Sequence, residues 1–273
     1  MRSAFWLAMA AASAAWSAQD SAESIMQKVA ANQDRAVQAR SGFLYHQSVL
    51  VRLKRGNGQL AREESSEYDV SPTPTGTKKE RTAFLGKTME HGKVVEYSTP
   101  GQERMTIDID GSLIADLPDD LTNDKRARDG MDRSLFPLTA QEQAKYVFRL
   151  EGSEEYRGIP VFKITFLPKS SESAWGGEAL IDREEYQPVL VTTYLAHGVP
   201  FIVKAALGTN VQQAGFKVTY RKFERGLWFT VTYGGEFKVR ALFLYVRRVG
   251  ISMQNSGFQR ARVESTVKFE DIK

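Results

Sequence analysis

From Phe43 onward the chain reads in steps of two. Phe43, Tyr45, Gln47, Val49 and Val51 share one face of an extended segment. Tyr146, Phe148 and Leu150 alternate with Val147 and Arg149, and Phe162, Ile164 and Phe166 with Lys163 and Thr165. Phe237, Val239, Ala241, Phe243 and Tyr245 form one long alternating face, and Ala261, Val263, Ser265, Val267 and Phe269 a last strand. Successive side chains on a strand point to opposite faces, so this period predicts half-buried β-strands. Leu60–Val70, Arg81–Leu85, Lys93–Tyr97, Glu178–Ile181, Val189–Tyr194, Val211–Tyr220 and Leu227–Tyr233 read as further strands. Turn residues separate them: Gly56-Asn57-Gly58, His91-Gly92, Arg157-Gly158-Ile159-Pro160, Asp182-Arg183-Glu184-Glu185 and Glu224-Arg225-Gly226, with a loop at Pro72, Pro74 and Gly76. Many strands at regular spacing predict one antiparallel sheet in sequential order.

A sheet with one apolar face must cover it. Asp20–Gln38 is the longest helical pattern, with Ile25, Val29 and Ala30 on one side, Ser21 placed to cap its start and Gly42 to end it. Thr139 followed three residues later by Glu142 signals a second helix start. Asp108–Phe136 is acidic, then basic, and shows little strand alternation. Within it, Asp119–Met131 fits a helix or a loop, and long irregular segments in compact domains are usually functional or disordered. The expected fold is α+β and mostly β: a curved antiparallel sheet or incomplete barrel covered by helices.

The N-terminus reads as a secretory signal over residues 1–18. Arg2 supplies the positive charge, Ala4–Ala15 a short apolar run, and Ser13–Ala18 small residues for cleavage. The run is shorter than the roughly 20 residues of a membrane span. The remainder, 19–273, reads as a single domain placed in the periplasm. The sequence contains no cysteine, so no disulfide braces the fold and no cysteine carries a lipid. Composition is that of an ordinary globular chain, 42% apolar and 26% charged. The formal charge of +4 is spread thinly along the chain, which argues against a nucleic-acid binder. It leaves a weak attraction to anionic lipid headgroups.

No pattern carries catalysis. His46, His91 and His197 have neither HxxxH nor HExxH spacing. Asp108-Ile109-Asp110-Gly111 starts like a calcium loop, but Leu117 stands where the closing Glu is required. Neighbouring carboxylates such as Glu63-Glu64 and Glu184-Glu185 point to opposite faces of a strand. There is no GxSxG, GxGxxG or GxxxxGK[ST]. The expectation is a protein that is not an enzyme and needs no cofactor or metal. The aromatic strand residues are more informative. Phe148, Phe162, Phe166, Phe229, Phe237 and Phe243 lie on apolar faces. They form either a dry core or the wall of a cavity for an apolar ligand, since concave sheets often hold such cavities.

One segment resembles a known family. Glu155-Tyr156-Arg157-Gly158-Ile159-Pro160-Val161-Phe162-Lys163-Ile164-Thr165-Phe166-Leu167-Pro168-Lys169 precedes Gly177-Glu178-Ala179-Leu180-Ile181-Asp182 and Gln187-Pro188-Val189-Leu190-Val191. This order is similar to that of the LolA/LolB-like superfamily of periplasmic lipoprotein carriers and receptors. The resemblance implies an incomplete barrel with a helical lid, a cavity for acyl chains, and a lipid or lipoprotein as partner. It implies no catalytic residue. The chain departs from a typical carrier in its length and in the basic strands that run on past Tyr233. A sensor or protein-interaction module with a filled core is the alternative on the same fold.

Overall fold

A computed structural model describes residues 21–73, 75–100, 110, 111, 114, 136–170, 175–196, 210–241 and 245–261. The leader at 1–18, the 119–131 segment, His197, Phe243 and the strand read at 262–269 lie outside the described residues.

Helix α1 runs Ala22–Arg40. Ser21 caps it, its hydroxyl accepting from the Ser24 amide at 3.1 Å. Ile25, Met26, Val29 and Ala30 fall on its buried side. After Gly42 the chain enters the sheet: β1 (Phe43–Arg55), β2 (Leu60–Thr73), β3 (Gly76–Glu90) and β4 (Lys93–Tyr97). A one-turn helix α2 (Ala140–Gln143), capped by Thr139 accepting from the Glu142 amide, precedes the second run of strands. That run is β5 (Tyr146–Tyr156), β6 (Ile159–Pro168), β7 (Trp175–Asp182), β8 (Pro188–Leu195), β9 (Asn210–Glu224), β10 (Leu227–Ala241) and β11 (Tyr245–Arg260).

All eleven strands form one antiparallel sheet in the order β4-β3-β2-β1-β11-β10-β9-β8-β7-β6-β5. Two meanders are thus joined at the β1–β11 pair, and β4 and β5 are left as the two edges. The sheet is curled and unclosed, an incomplete barrel. Two hairpins use two-residue turns with both residues at positive φ: His91-Gly92 (48° and 80°) and Arg157-Gly158 (52° and 80°). That turn matches the natural twist of paired strands, and Gly is the residue that enters it without strain.

The strand periodicity places the faces. Val49, Val51 and Leu53 of β1, Phe162, Ile164 and Phe166 of β6, and Val249, Ile251 and Met253 of β11 join Ile25, Met26 and Val29 of α1 in the main core. The face against α1 is therefore the inner face. Ile114 and Phe136, which lie between β4 and β5 in the chain, enter the same core.

Three strand readings are corrected. The β2–β3 hairpin continues through Pro72, with Thr73 opposite Gly76, so β3 is a 15-residue strand and not the short one expected at Arg81–Leu85. Most of β3 is partly or fully exposed, and polar residues on both faces hide the period. The alternating face read from Phe237 to Tyr245 is not one strand: β10 ends at Ala241 and β11 begins at Tyr245. β11, 16 residues long, falls between the two last strands expected from the sequence, where Gly250 and the polar run Gln254-Asn255-Ser256-Gly257 interrupt the apolar period. Its inner side is nevertheless regular, with Val249, Ile251, Met253 and Asn255 buried.

Candidate functional site

The inner face is lined by aromatic residues set in register across strands. Phe148 of β5 lies opposite Phe166 of β6, and Phe166 meets Tyr146 edge to face at 5.7 Å. Phe162 stacks on Tyr186 at 6.1 Å. Trp175, Phe216, Tyr233 and Phe136 form a further chain of ring contacts at 5.0, 5.4 and 6.4 Å. Phe237 completes this side of the core.

Glycine makes room for the rings. Gly177 is the direct cross-strand partner of Phe166, and Gly235 that of Phe216. A Cβ on Gly177 would lie 2.5 Å from the Phe166 ring and 2.2 Å from the Thr192 carbonyl oxygen. A Cβ on Gly235 would lie 2.3 Å from the Phe216 ring. Each ring thus lies over bare backbone, which lets the sheet bend inward while the aromatic surface closes the gap.

Among the predicted residues, Phe148, Phe162, Phe166 and Phe237 come together in the main core, each at most 9% exposed. Phe229 does not join them. It packs with Phe43, Leu227 and Phe258 in a separate cluster, stacked on Phe258 at 4.1 Å. Phe243 lies outside the described residues. Tyr146, Trp175, Phe216 and Tyr233 belong to the same wall and were not singled out. For Phe216 the signal is Gly235 on the neighbouring strand, which needs the pairing to be known.

Helix α1 is held in two different ways. Its C-terminal half is tied by polar bonds. Asn32 Nδ2 donates to the carbonyls of Glu185 (2.6 Å) and Tyr186 (3.1 Å). Gln33 donates to the Gln187 side chain at 2.9 Å, and the Arg40 guanidinium to the Trp228 carbonyl at 3.2 Å. The N-terminal half is held by apolar contact of Ile25, Met26 and Val29, with Lys28 over the Tyr186 ring at 4.1 Å and a bond from Gln143 to the Met26 carbonyl at 2.7 Å.

The turn that receives the polar half is itself braced. Glu185 accepts from Lys222 (2.6 Å), the Trp228 indole (2.8 Å) and the Gly226 amide (3.1 Å). Burial pushes its carboxyl up, but these donors outweigh it and hold it below its ordinary value. At the other end of the sheet, Asp110 pairs with Arg247 at 2.8 Å and accepts from the Tyr245 hydroxyl. Asp110 is therefore a partner of arginine. His46 sits between Asp69 (3.1 Å) and Glu67 (2.9 Å) on the outer face. No group of three metal-binding side chains occurs among the described residues.

No family model matches the chain, and no curated protein matches it. Several solved structures do. A domain assigned to outer membrane lipoprotein sorting from Vibrio parahaemolyticus is 13% identical, with a TM-score of 0.37 over 86% of this chain and 93% of that one. A DUF1329 family protein from Desulfovibrio piger is 12% identical, with a TM-score of 0.41 over 90% and 96%. A LolA superfamily protein from Nitrosomonas europaea is 10% identical, with a TM-score of 0.35 over 90% and 95%. No site residue is carried over from these structures. Among the described residues no helix is long and apolar enough to cross a membrane.

Proposed function

We propose that the chain is a non-catalytic periplasmic carrier that holds the acyl chain of a lipid or lipoprotein against the inner face of its sheet. The observation that carries this reading is the asymmetric seating of α1 on an aromatic wall. The C-terminal half is anchored by directional hydrogen bonds, while Ile25, Met26 and Val29 of the N-terminal half share the main apolar core with Phe148, Phe162 and Phe166. Apolar contact is non-directional, so an acyl chain can replace it. Removing Ile25, Met26 and Val29 from the core costs roughly 5–9 kcal/mol at 1.5–3 kcal/mol each. An acyl chain returns about 0.8 kcal/mol per buried methylene. About a dozen methylenes are then enough to displace the helix half, and a short chain is not.

A specific observation favours the second reading, a sensor or interaction module. The four predicted phenylalanines of the main core are almost fully buried, as in a filled core. The two readings separate in a native mass spectrum of protein purified gently from the periplasm. A bound mass removed by organic extraction supports the carrier. Protein that is bare and refuses added long-chain lipid supports the module. In that case Phe166→Ala lowers stability and changes no lipid binding.

A further inference from the structure

The outer face of the sheet carries a groove of 520 Å³ across β8–β11 and β1. It exists because side chains are missing there. Gly215, Gly234 and Gly250 lie on three adjacent strands and line its floor. Gly234 and Gly250 in particular would meet nothing nearer than 3.6 Å if they carried a Cβ.

Cations surround this groove. Lys238, Arg248 and Lys54 are successive cross-strand partners on β10, β11 and β1. Neighbouring strands lie about 4.8 Å apart, so three like charges stand in one short row, an arrangement that destabilises a sheet when nothing opposes it. Lys217 lines the opposite side. Arg52 is also in the groove, but it is bonded to Glu63 at 2.5 Å. Glu236 is the acidic residue in the lining. Four cations therefore stand against one carboxylate.

An exposed apolar ridge leads into the same groove. Val147 and Leu167 are direct partners, 56% and 52% exposed. Leu167 and the ring of Tyr194, itself 51% exposed, lean together over Gly176. Tyr194 is paired with Gly215, the first glycine of the groove. Basic residues beside exposed aliphatic and aromatic side chains are the chemistry that meets an anionic bilayer: the cations attract headgroup phosphates and the apolar groups enter the interface.

We infer that the outer face is a docking surface for an anionic membrane, with a headgroup phosphate seated between Lys217 and the Lys238–Arg248–Lys54 row. Charge complementarity selects this occupant, because an isolated cation row gains most from a dense anionic surface. The surface is separate from the inner face, so it stands or falls apart from acyl-chain loading.

The test is co-sedimentation of the whole chain with vesicles of phosphatidylcholine, with and without phosphatidylglycerol. Binding is expected to the phosphatidylglycerol vesicles and to weaken as salt is raised. Each cation near the surface contributes about fivefold in affinity, so Lys54→Gln with Arg248→Gln lowers it about 25-fold. Gly250→Thr keeps every charge, suits a strand and fills the groove, and it is expected to weaken binding several-fold with the fold intact. Circular dichroism confirms that the variants remain folded. Equal binding to both vesicle types, or unchanged affinity in the Lys54/Arg248 double variant, overturns the inference.

Discussion

Phe166 and Gly177 decide each other's identity. The ring occupies the space a side chain at 177 would need, and the Thr192 carbonyl blocks the other direction. Gly177→Ala is therefore expected to cost about 3 kcal/mol through overpacking, and Phe166→Ala about 3–5 kcal/mol through a cavity, both read from urea unfolding. Glu185 shows the polar counterpart. Its folded pKa is lowered, so its contribution is complete above the ordinary value of 4.5 and is lost as pH falls through the folded value. Glu185→Gln should cost about 1–3 kcal/mol near neutral pH, and the gap to wild type should close in acid. His46 has the opposite sign. The hydrogen bond to Asp69 raises its pKa against the opposing effect of burial, and Glu67 adds to the rise. The stability lost in His46→Ala is present below pH 6.5 and disappears as pH rises through the folded value. Unfolding midpoints measured from mildly acidic to alkaline pH check that direction.

At the scale of elements, α1 is the part on which the proposed carrier function turns. Met26→Ala removes apolar contact from the displaceable half, and about 2–5 kcal/mol of stability with it. If that half yields to an acyl chain, the same variant takes up lipid faster than wild type. Asn32→Ala loosens the anchored half instead, costs about 1 kcal/mol, and leaves uptake little changed. Stopped-flow uptake of a fluorescent long-chain fatty acid separates the two. The elements also show what the sequence could reveal. Helix α1 was legible because its cap and apolar spacing are local, and β5, β6 and β8 because their inner residues are large and apolar. β11 was not, because Asn255 fills an inner position through a hydrogen bond to the Thr230 carbonyl. A polar residue satisfied by a distant strand has no local signature. The same limit hid Phe216 and Tyr233, whose place in the wall depends on Gly235 and on pairing far along the chain. Phe229 was grouped with the others by alternation, and the cluster with Phe43 and Phe258 separates it.

For the whole molecule, the order of strands explains why the barrel is open. The two meanders meet at β1 and β11, and residues 98–145 of the chain join the far edges β4 and β5. Closure would need those edges to pair, and the inner face would then have no mouth. In the proposed carrier, an open sheet leaves the apolar face reachable if the N-terminal half of α1 lifts. In the proposed carrier, the exchange of about 0.8 kcal/mol per methylene against three buried side chains sets a length threshold between about six and eleven methylenes. Fatty acids well below it should fail to load, and those well above it should load, in a titration across chain lengths. The most direct measurement is photo-crosslinking with a long-chain fatty acid that carries a diazirine at its methyl end, followed by mapping of the modified residues. The account predicts adducts on the inner residues of β5, β6 and β10 and on the N-terminal half of α1. Adducts confined to the outer face, or none at saturating lipid, would contradict it.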